Sequence, residues 1–290
     1  MTACSTTVTE ELEIILCTDV GPGDTLKVEA AAGAGKSTAL RLFAEKHRDL
    51  RTLYLTFTAA EAAEKTEDYT RRGLDHVSVS TIHSCAFAAT FPLHQGIAID
   101  GLGLSASVVA RLTRTSSMEW PYARLAALER VVQRFISSDA LELSSVHLDA
   151  GVSSTGLLAA ARLVWQAAQD GSLPLSHDMY LKICCLSPEY RAAIFRDVDL
   201  VLLDEAHDCT EAQISLVEEP SGRHWGSILV MDFRHRGGGG LKKAPLAAWE
   251  AVTRRAQLGS RGIRPRASWG GVERVFGGRS GACRFAHKKL

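Results

Sequence analysis

Ala30-Ala31-Ala32-Gly33-Ala34-Gly35-Lys36-Ser37-Thr38 is the stretch on which the reading of this 290-residue chain turns. Ahead of it, the turn Pro22-Gly23-Asp24 leads into an apolar run ending near Glu29. Behind it, Leu40, Phe43 and Ala44 recur at helical spacing. A glycine-rich turn between a strand and a helix lets backbone N–H groups face inward around an anion, and the helix N-terminus adds partial positive charge. Lys36 would neutralise the outer phosphates of a nucleotide, and the Ser37 hydroxyl can ligate Mg²⁺. Ala30 occupies the first glycine position of G-x-x-x-x-G-K-[ST], so the match falls one residue short of the strict pattern. A glycine turn that happens to precede a lysine is the competing reading. The flanking strand and helix, together with Lys-Ser-Thr, favour a phosphate loop in which residues 30–38 contact the nucleotide.

Working outward, Val8 to Ile15 reads as a short helix and Leu53–Phe57 as a compact strand. Strand, loop, helix, strand opens a parallel α/β sheet. From about Phe91 to Ser187 the period becomes helical. Leu125, Leu128, Val131, Val132 and Phe135 share one face, and Leu158, Ala161, Val164, Trp165 and Ala168 share another. The α/β pattern returns at Val198–Leu203, where five of six residues are apolar, as a strand buried on both faces requires. The expected architecture is therefore an α/β P-loop NTPase (RecA-like) parallel sheet with a helical insertion and a weakly ordered basic tail. Its parts are residues 1–90, the first part of the ATP-binding domain; 91–187, the insertion; 188–236, the remainder of that domain; and 237–290, a Gly/Arg-rich tail expected to be disordered.

Asp204-Glu205-Ala206-His207 closes the run Val198–Leu203. Carboxylates at the carboxyl end of a buried parallel strand lie where α/β folds bind their ligands. Asp204 is the candidate to hold Mg²⁺ with Ser37, and Glu205 to orient and deprotonate an attacking water. The bland alternative is an acidic cap on the following helix. A phosphate loop upstream in the same chain favours catalysis, with ATP and Mg²⁺ as the implied cofactors.

Composition bounds the rest. With 46% hydrophobic and 23% charged residues the chain is of ordinary globular type, and no run approaches the roughly 20 apolar residues of a membrane span. The short stretch Ile14–Cys17 is too brief for a signal-peptide core, so an intracellular protein is expected. Seven cysteines without C-x-x-C spacing read as reduced thiols. The net charge of zero hides an asymmetry: residues 237–290 carry 12 Lys/Arg against 2 Glu, and residues 1–236 carry 21 Lys/Arg against 31 acids. Such a tail could bind nucleic acid without sequence preference, or simply be a solvated extension.

Taken together the motifs resemble UvrD/Rep-like superfamily 1 helicases, and among them the F-box DNA helicase branch. Thr56-Phe57-Thr58 with Ala62-Ala63, and Thr81-Ile82-His83-Ser84, are similar to the family's two DNA-contact motifs. The branch is suggested by Val8-Thr9-Glu10-Glu11 with Ile14-Ile15, by Ser176–Lys182 with Leu186-Ser187, and by Asp204–Thr210, which is similar to D-E-A-Q-D-C-T. The resemblance implies that Phe57, Thr58, Thr81 and His83 line a single-stranded DNA channel, where stacking and phosphate contacts suit movement along any sequence. Read from the residues alone, Phe57 fits a core ring equally and His83 a core histidine. The resemblance also implies that His207 couples the acidic box to the reaction, where the other reading is a surface histidine. DNA-repair or recombination proteins are implied as partners, and the nucleus as the location.

Departures from the family pattern qualify its function. Leu12 stands where an adenine-reading glutamine is usual, Ala59-Ala60 replace Asn-Lys, and His207 replaces glutamine. After Met231-Asp232 the pattern G-D-x-x-Q-x-I-Y-x-F-R-G is not followed. The expectation is a truncated or inactive copy of a helicase ATP-binding domain, with a catalytically silent nucleotide-binding or DNA-binding regulatory module as the alternative.

Overall fold

The run Leu200–Leu203, four consecutive apolar residues, forms the fully buried strand β4 at the centre of a parallel sheet. Burying each such side chain contributes roughly 2 kcal/mol relative to exposure, and only a strand covered on both faces gains it at every position. The computed structural model describes residues 10–30, 33–95, 97–99, 104–149, 156–218, 225–232 and 269–275. The first strands are β1 (Thr25–Ala30), β2 (Thr52–Thr56) and β3 (Val77–Thr81), and after β4 come β5 (Gly226–Asp232) and β6 (Trp269–Val275). They lie in the order β3-β2-β4-β5-β1-β6. The first five are mutually parallel, whereas β6 runs antiparallel to β1. The α/β expectation with a RecA-like parallel sheet holds.

The chain divides into two units. The sheet unit comprises the described residues of Met1–Thr81, Asp197–Cys209 and Val217–Leu290. Three helices belong to it: α1 (Glu10–Cys17), α2 (Lys36–Lys46) and α3 (Ala59–Arg71). Its core joins Ile15 of α1, Leu40 and Phe43 of α2, and Leu26, Val28, Tyr54, Leu202 and Ile228 of the strands. Helix α1 begins at Glu10, while Val8 and Thr9 lie outside the described residues.

The helical unit takes in Ile82–Arg196 and Thr210–Leu216, wider at both ends than the insertion expected over 91–187. Sequence period alone missed Ile82–His94 because that helix (α4) has no polar face to give it a clean amphipathic signal. It is followed by α5 (Ala106–Thr113), α6 (Tyr122–Ser137), α7 (Leu157–Gln169), α8 (His177–Leu186) and α9 (Pro188–Phe195). Leu128, Val131, Val132 and Phe135 of α6 are buried, as are Ala161, Val164, Trp165 and Ala168 of α7, while Leu125 and Leu158 are half-buried. Ser176 and Ser187 cap α8 and α9 by accepting from Met179 N–H and Tyr190 N–H, and Pro188 occupies the first turn of α9.

Within the basic tail the described residues are Trp269–Val275, and they form a strand antiparallel to β1. The remainder of 237–290 lies outside the described residues. Among those described, no helix is long and apolar enough to cross a membrane, and no cysteine forms a disulfide.

Candidate nucleotide site

The phosphate loop and the acidic box meet through one hydrogen bond, from Ser37 Oγ to Asp204 Oδ2 at 2.6 Å. Local backbone chemistry explains how the loop is made. Gly33 and Gly35 sit at φ 75° and 85°, left-handed conformations that cost a side-chain-bearing residue roughly 1–2 kcal/mol. Gly35 is the N-cap of α2, and its carbonyl accepts from Ala39 N–H at 2.8 Å. Ala30 is fully buried as the last residue of β1, in register with Asp232, and it is not among the positive-φ residues. A methyl group is therefore no conformational obstacle where the strict pattern has glycine. Ala31 and Ala32 lie outside the described residues, Ala34 packs partly against the core, and Thr38 is half-buried in the first turn of α2.

Lys36 is buried, with Nζ 3.8 Å from Glu205 Oε1. That separation is an ion pair, longer than a normal hydrogen bond. Asp204 is held on both oxygens: Oδ2 also accepts from the Tyr54 hydroxyl at 2.7 Å, and Oδ1 accepts from Glu205 N–H at 3.0 Å. Its own N–H donates to Leu55 O, tying the end of β4 to β2. Burial, and then the Asp204 carboxylate, push the Tyr54 phenol far above its ordinary range, so it remains a proton donor.

Glu205 has φ 51°, left-handed for a residue that bears a side chain. Strain of this kind concentrates at functional sites, where surrounding contacts hold it. Glu205 makes no side-chain cap on the short 3₁₀ turn that follows, so the simple capping reading of the acidic pair fails for it. His207 Nδ1 lies 3.2 Å from Glu205 Oε2, and Nε2 lies 3.9 Å from Asp208. At 11% side-chain exposure His207 is not a surface histidine. The arrangement can seat an anion on the loop amides, a hard cation between Ser37 and Asp204, and a polarised water near Glu205.

The residues expected to touch DNA divide between the units. Thr56 of β2 and Thr81 of β3 are register partners, so Phe57 and Thr81 stand at the carboxyl ends of adjacent strands. Phe57 is 47% exposed, which removes its reading as a core ring, whereas Thr81 is buried. Thr58 caps α3 in a reciprocal capping box: its hydroxyl accepts from Glu61 N–H, and its N–H donates to the Glu61 carboxylate at 3.0 Å. The signal was legible as Thr58-Ala59-Ala60-Glu61. His83 belongs to the helical unit, where Nε2 pairs with Asp178 Oδ1 at 3.1 Å and the ring stands edge-on to Tyr180. Asp178 also accepts from Gln133, and the His83 contact holds its carboxyl below the usual range. Tyr54 was missed as a site residue; its signal was a lone phenol inside the otherwise aliphatic run Leu53-Tyr54-Leu55.

No protein-family model matches the chain. It is 27% identical over 245 residues to F-box DNA helicase 1 of Gallus gallus, an alignment covering 78% of this chain and 23% of that protein. With F-box DNA helicase protein 1 of Schizosaccharomyces pombe (strain 972 / ATCC 24843) it shares 30% identity over 249 residues, covering 78% of this chain and 27% of that protein. The chain thus spans about a quarter of the length of these relatives. A chain with a RecA-like parallel sheet and a Ser37–Asp204 junction is, over most of its own length, similar to proteins named as DNA helicases.

Proposed function

We propose that this chain is the ATP-binding core of a DNA helicase of the UvrD/Rep-like type, working in the nucleus on single-stranded DNA. The observation that carries the reading is the 2.6 Å contact between Ser37 and Asp204, which joins the two motifs that a Mg-nucleotide needs. Gly33 and Gly35 shape the loop whose amides would face the phosphates, with no described residue within 4 Å of the space a Cβ on Gly33 would take. Lys36 would neutralise the outer phosphates, and Ser37 and Asp204 would hold Mg²⁺, which supplies electrostatic stabilisation of the transferring phosphoryl group. Glu205 would orient and deprotonate the attacking water, with His207 placed to fix the Glu205 carboxylate. Exposed Phe57 at the carboxyl edge of the sheet offers a face on which any base can stack.

The test is equilibrium binding of a fluorescent ATP analogue with Mg²⁺, followed by single-stranded DNA-stimulated ATP turnover. Lys36→Ala is expected to abolish binding; Glu205→Gln is expected to keep binding and lose turnover by a factor of about 10² or more. Equal binding by wild type and Lys36→Ala refutes the site. A wild type that binds but shows no turnover identifies a catalytically silent nucleotide-binding module instead.

A further inference from the structure

Tyr54 is an odd residue for its position. It lies in β2 between Leu53 and Leu55 and is fully buried, where an aliphatic side chain would fill space without bringing a polar atom into the core. A buried hydroxyl is costly unless it is paired, and the partner of this one is the acidic-box carboxylate. Three segments converge on that carboxylate: α2 through Ser37, β2 through Tyr54, and the backbone of Glu205. Of the two donors to Oδ2, Ser37 must also offer its oxygen to an incoming cation, whereas the Tyr54 hydroxyl, which also lies within reach of Ser37, is not a cation ligand in this reading. Tyr69 of α3 packs its ring 5.4 Å from that of Tyr54 and is also buried, but its hydroxyl makes no hydrogen bond to a described residue. Both phenols are buried, but only that of Tyr54 hydrogen-bonds to Asp204 among the described residues, so Tyr69 is an internal comparison.

We propose that Tyr54 is a positioning residue for the divalent cation, its hydroxyl fixing the rotation of the Asp204 carboxylate so that Oδ2 stays in reach of Ser37 whether or not the cation is present. This rests on the Mg-ATP reading above and adds to it a residue outside both motifs. Without the hydroxyl, Asp204 keeps the contacts from Ser37 and Glu205, and the carboxylate gains rotational freedom that cation binding must then remove. The cost falls on Mg²⁺ and not on the nucleotide, which is seated by the loop.

The experiment titrates Mg²⁺ into the full chain at fixed fluorescent ATP analogue, and measures analogue affinity separately in EDTA. For Tyr54→Phe the half-saturating Mg²⁺ concentration is expected to rise about tenfold, with affinity in EDTA changed by less than about twofold. Tyr69→Phe is expected to move neither. An unchanged Mg²⁺ dependence in Tyr54→Phe overturns the proposal, and so does an equal loss of affinity with and without Mg²⁺, which marks a structural role. Failure of wild type to bind the analogue at all sinks the Mg-ATP reading itself, a result visible before any tyrosine variant is made. Should Tyr54→Phe not fold, wild-type protein with ¹³C-labelled tyrosine serves. Adding Mg²⁺ to the nucleotide-saturated protein should shift the Tyr54 ring signal more than that of Tyr69, and equal or absent shifts overturn the proposal.

Discussion

Replacing Lys182 by methionine probes how the helical unit is held. Lys182 lies in α8 at 1% exposure, and Nζ donates to Ser138 O and Ala140 O, both at 2.6 Å, just past the C-terminus of α6. The amine also lies 4.6 Å from the centre of the Phe135 ring. Two N–H bonds to two carbonyls can be made by a neutral amine as well as by an ammonium, and burial pulls the Lys182 pKa down to about 8. Lys182→Met keeps the volume of the stem and leaves two carbonyls without their donor, a loss of about 2–6 kcal/mol at about 1–3 kcal/mol for each orphaned group, less whatever water recovers. The pH dependence has a definite sign. Because the folded pKa is depressed, the unfolded chain binds more protons between about pH 8 and the ordinary lysine value near 10.4, so stability from this group rises with pH across that window. It is fully present above the unfolded pKa and is lost as pH falls through the folded one. Urea denaturation followed by circular dichroism at several pH values, taken as wild type minus Lys182→Met, isolates this group from others that titrate. The difference should widen by on the order of 3 kcal/mol between pH 7 and pH 10.5. A difference that is zero throughout, or that narrows as pH rises, refutes the reasoning.

Two further substitutions separate the loop from the proposed DNA edge. Gly35→Ala forces a left-handed φ of 85° on alanine while, among the described residues, its Cβ would meet only Thr38 Cβ at 3.9 Å, an ordinary contact, so the cost is conformational. It should appear as about 1–2 kcal/mol in thermal or urea unfolding, with weaker nucleotide binding beside it; unchanged stability contradicts the assigned backbone. Phe57→Ala removes a half-exposed ring and should leave folding stability within about 0.5 kcal/mol while weakening oligo-dT binding about tenfold or more by fluorescence anisotropy. A large stability loss there would show that the ring is core after all.

How far this was legible beforehand follows from what each signal encodes. The loop, the acidic box and the strand between Val198 and Asp204 were readable because glycine, lysine and carboxylate at fixed offsets serve one chemistry, and a run of aliphatic residues has few alternatives. The pairing of Ser37 with Asp204 was expected from that chemistry, and the fold delivers it across a sequence separation of 167 residues. Helix α4 was not legible in full, because Ile82-His83-Ser84-Cys85-Ala86-Phe87 has no clean polar stripe and follows a strand without a break. The strand at Trp269–Val275 was missed because Gly270 and Gly271 dilute its alternation within a glycine- and arginine-rich stretch. Tyr54 was missed because a lone aromatic in a strand nearly always signals core, and nothing local announces that its hydroxyl meets a carboxylate 150 residues away. Thr58, expected at the DNA channel, also caps α3, a role that its spacing to Glu61 encodes.

The central claim, that the Gly33–Thr38 backbone cradles the phosphates of a nucleotide, is tested most directly by amide hydrogen exchange with and without a non-hydrolysable Mg-ATP analogue. The account predicts slowed exchange concentrated at the amides of residues 33–38 and at Glu205, with the same segments unaffected in Lys36→Ala. Protection that appears elsewhere, or that persists undiminished in Lys36→Ala, would contradict it.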